Sequence, residues 1–304
     1  MTTTTPTPTP EAFVSTLART LAFSIRTPIM RRPDEYGLAY EDVHFPSQDG
    51  TTLEGWFIPA DSDRLVIANH PMPCNRYGYP GHLKEFSFFA DFECNFLPDY
   101  KNLHDAGYNV LAYDLRNHGR SDAANGGIVG IGLLEYRDVL GSLHYARSRM
   151  NIDNTHIGFL SRCLGANSTI VAMSRHPEEF EGVRAMIALQ PVSLRPFGEV
   201  AVEANNIPDG IAMFEQEIKK LTSFDLDELS PLAYAKDVRT PTFVVQVHHD
   251  STTRPSDVQG IYDNIGASDK KLFWIEGTTR RFDGYNYFAQ EPDQMLDWFN
   301  SHFS

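Results

Sequence analysis

A chain of 304 residues, 41% hydrophobic and 22% charged, has the composition of a folded globular protein large enough to bury a substantial core. Its formal net charge of -14, with Lys and Arg outnumbered 26 to 40 by Asp and Glu, argues against nucleic-acid binding, because phosphates are neutralised by clustered cations. No apolar run is long enough to cross a bilayer, and the three cysteines, Cys74, Cys94 and Cys163, point to free thiols and a reducing, cytoplasmic setting.

Residues 1–10, "MTTTTPTPTP", alternate Thr with Pro, bury nothing, and lack the basic and apolar regions of a secretory signal; they are expected to form a disordered tail. In "EAFVSTLARTLAFSIRTP" that follows, Phe13, Leu17, Leu21 and Ile25 recur at helical spacing. A helix packed on the flank of the domain is the commoner cause of such a stripe, and a membrane-surface anchor is the alternative. "YEDVHFPS" and "TLEGWFIPA" alternate apolar with polar residues on either side of Asp49-Gly50, which signals an antiparallel hairpin. From there the apolar runs lengthen. "RLVIANH", "YNVLAYDL", "THIGFLS", "RAMIALQPV", "TPTFVVQVHHD" and "KKLFWIEG" read as strands buried on both faces, separated by helical patterns such as "EYRDVLGSLHYARSR" and "ANSTIVAMSRHPEEF". Repeated strand, helix, strand units predict an α/β fold with a mostly parallel sheet covered on both sides.

Two segments interrupt this alternation. Residues 77–98 crowd Phe86, Phe88, Phe89, Phe92 and Phe96 into a short insertion, which is either the wall of an apolar pocket or ordinary packing under a loop. Residues 195–238, with a helix around "GIAMFEQEIKKL", are placed to form a small lid above the sheet.

The stretch "IGFLSRCLGANS" joins a predicted strand to a predicted helix through Cys163. A nucleophile elbow makes this connection so tightly that small residues are needed two positions before and after the central one, and Ser161 and Gly165 meet that need. Making Ser161 the centre would put Phe159 and Cys163 in those slots, where a Phe clashes. The side chain of an elbow residue faces the N-terminus of the following helix, which favours an anion. The plainer alternative is that Cys163 is a small buried hydrophobe.

From about Tyr40 onward the chain resembles the α/β-hydrolase superfamily. "VIANHPMP", "GYNVLAYDLRNHGRSD", the elbow and "TPTFVVQVHHD" follow one another in the order of that family. The resemblance implies one domain over residues 11–304, with a central sheet, helices on both faces and the lid. It also implies an oxyanion hole made by the backbone N–H of Leu164 and of Met72, since Pro71 has no N–H to offer. Asp250 stands in the place of the acid. Cysteine in the nucleophile's position is found in dienelactone hydrolases and polyester synthases of this fold.

The family's catalytic histidine belongs in the loop "WIEGTTRRFDGYNYF", where the slot falls on Arg280, or on Arg281 if the loop is one residue longer. Guanidinium cannot act as a base. Arg280 would instead serve as a fixed cation for a thiolate or a substrate carboxylate. Otherwise His249, beside the acid, or His70, at the start of the oxyanion loop, would have to reach the site, or the site would be silent for hydrolysis. His70, Arg162 and Tyr285 are further candidates for substrate contact, although the Tyr285 ring could simply cap the core.

The expected function is hydrolysis of a small to medium, apolar ester, thioester or lactone through Cys163. The alternatives are acyl transfer by the same thiolate, or a ligand-binding or lyase descendant. No cofactor is implied: "NGGIVGIG" does not connect a strand directly to a helix as a dinucleotide fingerprint must, and no Cys and His spacing resembles a metal site. The expected partner is a small molecule, with a homodimer possible.

Overall fold

The computed structural model of the protein describes residues 9–304. The expected tail therefore lies outside the described residues except for Thr9 and Pro10. These open the first helix, α1 (Pro10–Ala22), where the Thr9 hydroxyl accepts the N–H of Ala12 at 3.3 Å and Pro10 fills the first turn.

The antiparallel pair β1 (Glu41–Pro46) and β2 (Thr52–Ile58) turns through Asp49-Gly50, with Gly50 at φ 88°. β3 (Leu65–Asn69) leads into the Phe-rich insertion, which contains the small hairpin β4 (Gly78–Pro80) and β5 (Glu93–Asn95) and ends at α2 (Leu97–Asp105). β6 (Asn109–Tyr113), α3 (Tyr136–Met150), β7 (Ile157–Arg162), α4 (Leu164–Arg175) and β8 (Ala185–Leu189) supply the alternation expected from the sequence. Between β8 and β9 (Thr242–Val247) stand α5 (Leu194–Ala204), α6 (Gly210–Thr222) and the single turn α7 (Leu232–Ala235), where the lid is expected. The chain ends with α8 (Pro255–Asn264), β10 (Lys270–Ile275), the short α9 (Arg281–Tyr285) and α10 (Tyr287–Gln290), and α11 (Asp293–His302).

Eight strands form one sheet in the order β1-β2-β6-β3-β7-β8-β9-β10, antiparallel over β1, β2 and β6 and parallel from β6 onward. The continuous apolar runs follow from burial on both faces. In β3, Leu65 and Ile67 enter one core while Val66 and Ala68 enter the other, and in β9 Val244 opposes Phe243, Val245 and Val247. The first core also takes Val14, Ala18 and Leu21 from α1, which packs against α6 with Phe214 and Ile218. The first helix therefore packs on the flank of the domain through Val14, Ala18 and Leu21; of the predicted stripe, Phe13 and Leu17 are half-buried against the same core and Ile25, beyond the helix end, is exposed.

Candidate active site

At the C-terminal end of β7 the backbone reverses through Cys163, whose φ of 46° and ψ of -107° lie where a non-glycine residue is strained. The strain is held from both sides. The Cys163 N–H donates to the Leu189 carbonyl at 2.7 Å, and the Cys163 carbonyl accepts from the Asn167 N–H at 2.8 Å inside α4. Gly165 is required here, because a Cβ at that position would lie 2.5 Å from the Asn69 Cβ and 2.8 Å from its carbonyl carbon. The Ser161 hydroxyl is fully buried beneath the turn, within 2.9 Å of both Asn69 Nδ2 and Thr169 Oγ1, so it serves the scaffold.

Cys163 keeps 9% of its surface exposed, at the base of a cavity of about 330 Å³. Phe88, Phe89 and Phe92 of the insertion wall one side, and Leu194 and Phe197 of α5 wall another. Leu21 of α1 and Ile131 add further apolar surface. The Phe cluster therefore divides between the two readings: these three rings line the cavity, while Phe96 is fully buried packing. Leu164 and Met72 also reach the cavity, and neither backbone N–H finds an acceptor among the described residues. An oxyanion hole is built from amides left free in this way beside the reacting atom.

Asp250 lies just beyond β9, buried and surrounded by donors. One carboxylate oxygen accepts the N–H and hydroxyl of Thr252, at 2.8 and 2.7 Å; the other accepts Gln246 Nε2 at 3.1 Å and Arg281 Nη1 at 2.7 Å. Of the two neighbouring arginines it is thus Arg281, not Arg280, that pairs with Asp250. Arg281 is 6% exposed at the start of α9, and its Nε donates to the Tyr285 hydroxyl at 2.9 Å while Nη2 donates to the Gln190 carbonyl. Burial opposes its charge, but Tyr285, Cys163 and Asp250 around it hold it protonated well above its ordinary range. Burial likewise drives the Tyr285 phenol far up, against Arg281 and together with Cys163. The phenol oxygen already accepts from Arg281, so its own proton is available to the sulfur or to a group bound beside it.

The other candidates are placed differently. Arg280 projects from the rim with its side chain 58% exposed, bonded to Asp283 at 2.8 Å and lying over the Phe92 ring. Its position one residue before the helix turns it outward. His249 is 67% exposed; its ring stacks on His248 and lines a separate surface depression with Gly277, Thr278 and Thr279. It does not adjoin Cys163, because the chain turns between it and Asp250.

His70 is buried below the oxyanion loop with both nitrogens committed. Nε2 accepts the Leu115 N–H at 2.9 Å, which fixes the proton on Nδ1, where it is donated to the Pro71 carbonyl at 2.9 Å. Burial lowers its pKa to about 4. It braces the loop and does not line the cavity. Arg162 is a second correction: although it precedes the nucleophile, the alternation of β7 sends its side chain away from the cavity to Asp99, at 2.5 Å, and over the Phe96 ring. Tyr285, by contrast, lines the cavity beside Cys163. Gln190, Gln246 and Thr252, which hold Arg281 and Asp250, carry no sequence signal of their own.

No family model matches the chain. In sequence it is 22% identical over 250 residues to an uncharacterised 31.7 kDa protein of the traX-finO intergenic region of Escherichia coli, covering 68% of this chain and 85% of that one. In structure it is similar to the Pyrococcus furiosus esterase Pf2001, with a TM-score of 0.69, 20% identity and coverage of 93% and 99% of the two chains. It is also similar to the α/β hydrolase GrgF of Penicillium sp. sh18, with a TM-score of 0.58, 19% identity and coverage of 88% and 99%. The strand order, the helices on both faces and these likenesses together establish that the chain has the α/β-hydrolase fold.

Proposed function

We propose that the protein carries out acyl chemistry on an ester, thioester or lactone through Cys163, with hydrolysis as the principal outcome. The observation that carries this reading is a strained elbow cysteine at the mouth of a helix, beside two unpartnered amides, at the base of a mostly apolar cavity. The sulfur attacks the carbonyl carbon as a thiolate, and the N–H groups of Leu164 and Met72 receive the oxyanion. The thiol proton goes to solvent as the thiolate forms; as the carbonyl re-forms, the leaving alkoxide or thiolate takes the proton of the Tyr285 hydroxyl, and Tyr285 regains one from water. Water then attacks the Cys163 thioester, releases the acid and restores the thiol.

Arg281 holds charge in place and cannot activate that water. Its partners in the protein, Asp250, Tyr285 and Gln190, also leave it little capacity to bind a substrate carboxylate, and with apolar walls above it the favoured substrate is an uncharged acyl group. A second reading, transfer of the acyl group to an acceptor other than water, is favoured by one specific observation: among the described residues no histidine lines the cavity. Without a water-activating imidazole the thioester persists long enough for another nucleophile to reach it.

Mixing the protein with p-nitrophenyl butyrate and following both chromophore and intact mass tests these readings. The expected result is a burst of p-nitrophenolate with one butyryl group on Cys163, absent in Cys163→Ala. Decay of the adduct in buffer supports hydrolysis, and decay only on adding amine or thiol acceptors supports transfer. Undiminished turnover by Cys163→Ala refutes both.

A further inference from the structure

Outside the cavity, the ends of β9 and β10 bring together donor groups that the acyl chemistry does not use. The parallel register pairs Val247 with Ile275, and the His248 N–H continues it by donating to the Ile275 carbonyl at 3.0 Å. The next residues on the two strands, His248 with His249 and Glu276, therefore emerge side by side. His248 Nδ1 lies 2.7 Å from one Glu276 oxygen and His249 Nε2 lies 4.0 Å from the other, and one ligand atom from each of the three falls within 4.8 Å of the rest. No Lys or Arg pairs with Glu276 among the described residues; the groups beside its carboxylate are these two imidazoles.

We propose that His248, His249 and Glu276 bind a zinc-class divalent cation at the surface. Two imidazoles and a carboxylate form the borderline donor set that suits zinc and copper better than calcium or magnesium. Bonds of about 2.0–2.2 Å in a tetrahedron separate ligand atoms by roughly 3.3–3.6 Å, and since one ligand atom from each residue already lies within 4.8 Å of the others, no separation needs to close by more than about 1.5 Å. All three side chains are at least one-third exposed and can make that adjustment, and water completes the coordination. The two neighbouring histidines showed no metal spacing in sequence because the third ligand comes from an adjacent strand.

A cation here ties the two strand ends together. Asp250 directly follows His249, and the segment after Glu276 leads into Arg281, so the clamp lies at the root of both partners of the buried ion pair. The site is distinct from the cavity and does not depend on the acyl mechanism.

Titration calorimetry of the full chain with ZnCl2 tests the proposal, beside His249→Ala and Glu276→Gln, whose side chains are exposed. The wild type is expected to bind one equivalent. Each variant is expected to lose at least about tenfold in affinity, since losing a direct ligand costs no less than losing a ligand's support. Copper provides a second readout: the His248 ring centroid is 4.9 Å from that of Trp274, so one equivalent of Cu2+ should quench wild-type fluorescence, and quenching should weaken in both variants. His302→Ala, beside Trp298, should retain the zinc affinity. Equal zinc affinity in the wild type and both variants, or affinity lost only in His302→Ala, overturns the proposal.

Discussion

Replacing Arg281 by Met removes the buried guanidinium while keeping most of its volume, and the consequences can be worked out bond by bond. Asp250 loses its 2.7 Å partner but keeps three donors, the Thr252 N–H and hydroxyl and Gln246 Nε2, so its carboxylate is not stranded. Breaking one side of a buried pair costs about 3–5 kcal/mol, and these donors place the loss at the low end. The Gln190 carbonyl and the Tyr285 oxygen each lose a donor, and a buried acceptor without one adds about 1 kcal/mol or more. A total of about 5 kcal/mol is expected, read from urea unfolding followed by circular dichroism. Alkylation of Cys163 by iodoacetamide, followed by intact mass at fixed pH, should slow, because the cation beside the sulfur is gone. Arg280→Met, at the exposed rim, should leave both the midpoint and the alkylation rate unchanged. If the two variants behave alike, or if Arg281→Met costs under about 1 kcal/mol and alkylates at the wild-type rate, the buried cation does not organise the site.

Three further outcomes are expected. Gly165→Ala forces a Cβ into the Asn69 backbone, destabilising the fold by about 1–3 kcal/mol and displacing the elbow, seen as slower Cys163 alkylation even below the unfolding transition. His118 is buried with its pKa lowered to about 3, so the unfolded chain takes up the proton first; the stability this histidine confers is complete above pH 6.5 and is lost as pH falls. Relative to His118→Phe, the wild type should therefore lose about 3 kcal/mol between pH 6.5 and 4, and a pH-independent difference in urea midpoints would refute this. Phe197→Ala enlarges the cavity and should shift the preferred p-nitrophenyl ester to longer chains, with each added methylene worth up to about 0.8 kcal/mol, or roughly fourfold in kcat/KM, until the new space is full. An unchanged chain-length profile would remove α5 from the acyl-binding wall.

The sheet was legible because strands buried on both faces need unbroken apolar runs, and the elbow because its curvature admits only small residues at Ser161 and Gly165. What the sequence left open depended on where side chains point at the ends of elements. Arg280 and Arg281 are neighbours of identical chemistry; the start of α9 between them turns one to the rim and the other to Asp250, and a single residue of loop length decides which. Arg162 adjoins the nucleophile in sequence, yet its side chain turns into the core beside Asp99 and Phe96 and does not reach the cavity. His70 is polar and close to the site, but its ring is needed to satisfy the Leu115 amide, a requirement visible only once β3 and β6 lie side by side. Leu21 belongs to a helix some distance ahead of the first strand, and nothing local foretells that it lines the cavity.

That last placement has a practical consequence. Because α1 leans on α6 while Leu21 forms part of the cavity wall, the front of the chain helps to decide what fits inside. Trimming the protein back to β1 to obtain a tidier domain would open the cavity at Leu21 and bare the apolar surface that α1 covers.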